Sequence, residues 1–130
     1  MNSLDANVIL RFLLRDIPEQ SAKSRQLIFT TVCYVSDVII TEVAFVLERR
    51  ISMSRDQVAA LLGKFVELPT IVCNESLLVS TIDLFAKRRQ LSFPDCYAAV
   101  EARRNSDKLF TFDTSLIKFG GEHVSAPTDQ

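Results

Sequence analysis

Downstream of Asp5 the apolar residues Val8, Ile9, Phe12 and Leu13 recur at helical spacing, with Arg11 and Arg15 on other faces. Pro18 suits the first turn of a second helix, which carries Leu27, Ile28 and Val32. Val35-Ser36-Asp37-Val38-Ile39-Ile40 is rich in β-branched residues and predicts a strand. Thr41 then serves as an N-cap, so Glu42 falls in the first turn of a helix that buries Val43, Val46 and Leu47. Ser54-Arg55-Asp56-Gln57 has capping-box form and opens a helix through Ala60, Leu61 and Phe65, which Pro69 breaks. Thr70 to Cys73 predicts a short buried strand, and Asn74 caps a long helix holding Leu77, Leu78, Ile82 and Phe85. Ser92-Phe93-Pro94-Asp95 starts another helix, which runs to Arg103-Arg104. Leu109 to Phe112 predicts a strand ending at Asp113, Gly120-Gly121 a turn, and Val124 to Ala126 a last edge strand.

Strands alternating with helices imply βαβ units and parallel pairing. The fold class expected is α/β: a three-layer α/β/α sandwich with a mainly parallel central sheet. Residues 1–130 contain no repeat, linker or low-complexity stretch and are expected to form a single domain. A chain of this length buries roughly two-thirds of its unfolded surface, enough for a core without disulfides. Apolar residues make up 48% and charged residues 24%, an ordinary globular balance. No run of about 18 apolar residues predicts a membrane span, and no basic-then-apolar leader is seen, so a cytoplasmic location without a membrane partner is expected. Cys33, Cys73 and Cys96 are odd in number and lack C-x-x-C spacing, which points to free thiols in a reducing compartment.

The chemistry lies in the acidic residues at the element corners. Asp5 follows the first strand, Glu42 the second, Asp95 opens the helix after Pro94, and Asp113 ends the Leu109–Phe112 strand. In a parallel sheet the strand carboxyl ends and helix N-termini share one edge, so the four are expected within about one cation's reach. Each alone is equally explained by capping and the helix dipole. Together they would repel, by about 4 kcal/mol per pair at 4 Å and an effective dielectric near 20, unless protonated or holding a cation. Carboxylates without nearby His or Cys suit Mg²⁺ or Mn²⁺, and such a centre can activate water against a phosphodiester. The net charge of −1 excludes a generally basic nucleic-acid binder, but neutralising four carboxylates with metal turns it to +3.

Other catalysts are scarce. His123 is the only histidine and lies in a Gly-rich turn, which rules out a two-histidine ribonuclease mechanism. Cys96, near a helix start, reads as a small core residue rather than a nucleophile. There is no G-x-S-x-G elbow and no phosphate-binding glycine loop. The clusters Arg49-Arg50, Lys87-Arg88-Arg89 and Arg103-Arg104 fall at helix C-termini, where they complement the dipole. Arg11, Arg15 and Lys118, near Asp5 or Asp113 in sequence, are better candidates for binding substrate phosphates.

Leu4-Asp5-Ala6-Asn7-Val8-Ile9, Thr41-Glu42-Val43, Phe93-Pro94-Asp95-Cys96-Tyr97-Ala98 and Thr111-Phe112-Asp113, taken in order, resemble the PIN-domain pattern. The short form resembles a VapC-type toxin ribonuclease of a toxin–antitoxin system. The resemblance implies a Mg²⁺- or Mn²⁺-dependent endoribonuclease leaving 5′-phosphates, with catalytic and metal-binding Asp5, Glu42, Asp95 and Asp113, supported by Asn7 and Thr111. In that scheme Asp5 and Asp95 hold the principal ion, Glu42 holds it or orients water, and Asp113 serves a second ion or ordered waters. It also implies a homodimer and a cognate antitoxin protein. Two departures are Ala6, where a Thr is common, and the polar first strand at Asn2-Ser3. Two other classes compete: a non-catalytic α/β module that binds RNA or a protein, and a phosphatase using Asp5 as nucleophile, for which Asn7 replaces the usual second Asp.

Overall fold

The computed structural model describes residues 1–128, which divide into two compact units, residues 1–75 and 76 onward. In the first unit, strand β1 (Asn2–Ser3) leads into helices α1 (Ala6–Leu14) and α2 (Pro18–Thr30). Strand β2 (Cys33–Tyr34), helix α3 (Asp37–Phe45), helix α4 (Arg55–Val66) and strand β3 (Ile71–Val72) complete it. The strands form a parallel sheet in the order β1-β2-β3, with Asn2 level with Cys33 and Cys33 level with Ile71. Helix α1 packs on α2 and α3. Buried Phe12 joins two other rings edge to face, Phe29 at 5.4 Å and Phe65 at 5.9 Å between centroids, geometry that adds about 0.5–1.5 kcal/mol per pair to the apolar burial.

The α/β reading with parallel strands holds, but the second strand is Cys33–Tyr34, and Val32, expected on the second helix, lies outside it because α2 ends at Thr30. The stretch Val38 to Ile40 is helical, not extended. Pairing ends where Val35 N donates to Val72 O at 3.0 Å. Ser36, in extended conformation, then accepts from Ile39 N at 3.3 Å and caps α3. The three β-branched side chains together cost a helix about 1 kcal/mol, which the Ser cap of similar worth offsets, and no strand pairs beyond Val35 to favour extension. Thr41 is consequently inside the helix, its hydroxyl donating to Asp37 O at 2.9 Å. Beyond α3 a π-helical turn runs over Val46–Arg50, where Ile51 N reaches back to Val46 O at 3.0 Å. Glu48 in that turn accepts from Arg55 Nε at 2.8 Å, tying it to the first turn of α4.

Helix α5 (Glu75–Lys87) spans the division between the units. The second unit continues with α6 (Phe93–Arg104), strand β4 (Leu109–Phe110), helix α7 (Thr114–Phe119) and strand β5 (Val124–Ser125), which pairs with β4 in parallel. The six-residue α7 was not anticipated from the sequence pattern. Phe85 and Phe93 meet edge to face at 5.4 Å in this unit's core, with Leu78, Ile82, Leu91, Cys96 and Ala99 buried. His123 is half-buried rather than a free turn residue: its Nε2 lies 2.6 Å from Ala99 O. Among the described residues no helix is long and apolar enough to cross a membrane.

Candidate functional site

The sheet register aligns the carboxyl edge of the first unit. Leu4 N donates to Tyr34 O at 3.0 Å and Val35 N to Val72 O at 3.0 Å, so Asp5 follows the last paired residue of β1 at the edge where β2 and β3 also end. Asp5 occupies the N-cap position of α1 with extended backbone, yet its side chain makes no capping hydrogen bond and is exposed. Ser36, Ser54, Ser92 and Asp113 all cap their helices. The carboxylate of Asp5 is thus not committed to holding its own helix.

Glu42 is exposed on α3, but in the second turn rather than the first, because the helix begins at Asp37. That corrects the expected placement: the residue at the strand-to-helix corner is Asp37. Its Oδ2 accepts from Asn74 Nδ2 at 3.5 Å, and it is half-buried. The Ser-Asp pair opening an apolar run was the available signal for this corner, outweighed by the β-branched residues that follow. Cys73 shares the neighbourhood. Burial first, then Glu75 and Asp37, push its thiol up from 9.0 to about 11. None of the three cysteines forms a disulfide, as the sequence implied; Cys96 is buried as expected of a core residue, and Cys33 is buried as well.

In the second unit the capping chemistry is fully used. Asp95 N donates to Ser92 Oγ and Ser92 N donates to Asp95 Oδ2, both at 3.2 Å. This reciprocal box orients the carboxylate at the positive end of the α6 dipole. Asp113 Oδ1 accepts from Leu116 N at 2.9 Å, and Asp113 N donates to Thr111 Oγ1 at 3.0 Å. Thr111 therefore supports Asp113 directly. Each of these carboxylates has one oxygen held by a backbone N–H, which fixes its direction and leaves the other available to a ligand.

The predicted phosphate-binding residues separate. Asn7 and Arg11 line one groove of about 320 Å³ with Lys23. Arg11 Nε is 3.3 Å from Asp16 Oδ1 but outside hydrogen-bonding geometry, and its side chain is largely buried. Arg15, in left-handed conformation at the end of α1 (φ 55°), lines a different groove with Phe12, Arg25 and Lys64. Lys118 lies in the last turn of α7, the opposite end from Asp113, with Nζ 5.3 Å from the Phe119 ring centroid. It therefore sits where a cation complements the dipole of its own helix.

Asp5 and Glu42 belong to the first unit, Asp95 and Asp113 to the second. Among the described residues no group of three or more His, Cys, Asp or Glu side chains is placed to hold a metal ion. The four-carboxylate cluster expected from the sequence is therefore not assembled within either unit. As a donor set the four are nevertheless all-oxygen, which suits Mg²⁺ or Mn²⁺ over softer metals.

The family model for the PIN domain matches residues 3–122, spanning both units. The chain belongs to the PIN domain family. PIN domains are typically nucleases that depend on divalent metal ions. The four carboxylates of this PIN domain fall inside the matched region, as do Asn7 and Thr111. No curated protein matches this PIN domain.

Proposed function

We propose that this PIN domain is a Mg²⁺- or Mn²⁺-dependent endoribonuclease and the toxin of a VapBC-type toxin–antitoxin pair, working in the cytoplasm as a homodimer held in check by a cognate antitoxin protein. The observation that carries the nuclease reading is the state of Asp5: an exposed N-cap carboxylate that does no capping. A residue kept at a cap position without serving it is free for a ligand. Asp5 and Asp95 would hold the principal ion, Glu42 would hold it or orient water, and Asp113 would serve a second ion or ordered waters. The bound ion lowers the pKa of water and neutralises charge on the phosphoryl group. The protein's own part is orientation: the Ser92 box aims Asp95, and Thr111 with Leu116 N aims Asp113.

The deciding experiment is RNA cleavage with mapped ends, wild type against Asp5→Asn, with Mg²⁺ or Mn²⁺ added. The nuclease reading expects metal-dependent products with 5′-phosphates, and a loss of at least a hundredfold in the variant. Equal cleavage by the two proteins would remove Asp5 from the mechanism. The competing reading is a non-catalytic module binding RNA or a protein partner. Isothermal titration with Mn²⁺ separates the two, since a pure binding module takes up no stoichiometric metal. Co-purification of a small DNA-binding protein encoded beside this chain would favour the toxin role over general RNA processing.

A further inference from the structure

Asp95, Ala99 and Arg103 follow one another at four-residue spacing on α6, so one side of the helix runs from an acidic first turn to a basic last turn. The axial rise between Asp95 and Arg103 is about 12 Å. Beside the basic end, a groove of about 400 Å³ lies along α5 and α6. Lys87, Arg103 and Arg104 line it over buried Ala99 and Gly120, opposed by the single carboxylate of Asp83.

The three cations are held differently. Arg104 Nη2 donates to Ser76 O and Ser76 Oγ at 2.8 Å and to Ser80 Oγ at 3.0 Å, bolting α6 to α5. Arg103 lies with its Nη2 over the backbone of Gly121, whose φ of +122° favours glycine. Lys87 ends α5, and neither Lys87 nor Arg103 has an ion-pair partner among the described residues. Dipole complementation alone explains a cation at each helix end. It does not explain a groove that carries cations along both walls, Arg103 and Arg104 on α6 beside the Ser80 end of α5 and Lys87 some two turns further along α5. A concave surface lined by one sign of charge concentrates counter-charge.

We infer that this groove is a remote phosphate-binding stretch, gripping the backbone of the RNA strand some three to four stacked nucleotides, at about 3.4 Å per step, from Asp95. The inference rests on the ribonuclease reading and deepens it. Lys87 and Arg103 each neutralise one phosphate, and Arg104 ties the two walls of the groove together. Binding here is indifferent to base identity, because the contacts go to the backbone.

The test uses Lys87→Ala with Arg103→Ala, the single Lys87→Ala, and the charge-keeping pair Lys87→Arg with Arg103→Lys. RNA affinity is measured by fluorescence anisotropy across a salt series with EDTA present, and cleavage by KM and kcat. Each lost phosphate contact removes about 0.7 from the slope of log K against log salt for a single strand. The double alanine variant is expected to lose about 1.4, the single variant about 0.7, and the charge-keeping pair none. KM for a twelve-nucleotide RNA rises severalfold at unchanged kcat, whereas a dinucleotide substrate, too short to reach the groove, is cut as by wild type. An unchanged salt slope and KM in variants that still cleave would overturn the inference and leave the nuclease reading standing. A wild-type protein that neither binds nor cuts RNA would overturn both. If the double variant melts early, the exposed single Lys87→Ala decides the matter alone.

Discussion

Thr111 Oγ1 accepts the Asp113 backbone N–H at 3.0 Å, one link before Asp113 Oδ1 accepts from Leu116 N at 2.9 Å. Strand, turn and helix are thereby locked around one carboxylate. Thr111→Val keeps the shape and removes the acceptor. It should cost about 1 kcal/mol, the net value of one hydrogen bond, seen as a lower Tm, and should reduce metal-dependent cleavage severalfold. Thr111→Ser, which restores the hydroxyl, should recover both; recovery of neither would show that the bond has no role.

Asp5 and Asp113 both hold N-cap positions, but only Asp113 caps. Their variants should therefore diverge in stability. Asp5→Ala is expected to leave the unfolding free energy within about 0.5 kcal/mol of wild type, as for an uncommitted surface residue. Asp113→Ala should lose about 1 kcal/mol, the usual worth of a cap. Asp113→Asn keeps the cap and removes only the charge, so its activity loss reports on metal or water binding without the stability term. Urea titration of the three variants provides the comparison.

Arg15 sits at a φ of 55° and ψ of 31°, a left-handed conformation that glycine adopts freely. Arg15→Gly should raise stability by up to about 1 kcal/mol. If Arg15 also contacts substrate, the same change weakens RNA binding at low salt. A variant that is more stable and binds RNA as tightly as wild type would assign Arg15 a purely structural place.

Cys73 carries a thiol pushed up to about 11 by burial and by the carboxylates of Glu75 and Asp37. The neutral thiol is thus favoured in the folded chain. The unfolded chain ionises near 9.0, so between about pH 9 and 11 it binds fewer protons than the folded one. This contribution to stability is complete below pH 9 and is lost as the pH rises toward 11. Thermal melts from pH 8 to 11 should show a steeper decline for wild type than for Cys73→Ser. The same thiol should alkylate slowly at pH 8 in the folded protein; rapid modification there would contradict the shift.

The parts of the fold that were legible from the sequence are those held by short-range hydrogen bonds. The Ser54–Gln57 and Ser92–Asp95 boxes, Pro18 at the start of α2 and the basic helix ends all stand where the local pattern puts them. The short strand before Asp5 and the strand at Ile71–Val72 do too. The Val38–Ile40 stretch is helical despite its β-branched residues because β preference is mostly a preference for a sheet environment, and no neighbouring strand pairs beyond Val35. The same early helix start puts Asp37 at the corner and Glu42 one turn further in.

The amino-acid order by itself determined the α/β class with parallel strands, the serine-led capping boxes and the four acidic positions, since each depends on residues a few places apart. Only the tertiary structure decided that β1, β2 and β3 pair in parallel and end at one sheet edge, Ser3 level with Tyr34 and Tyr34 with Val72. It also decided that Asp37 faces Asn74, that Arg104 is tied to Ser76 and Ser80, and that Arg103 rests on Gly121. Those relationships come from strand register and helix packing between residues far apart in the chain, where the free energy is set by which surfaces fit together.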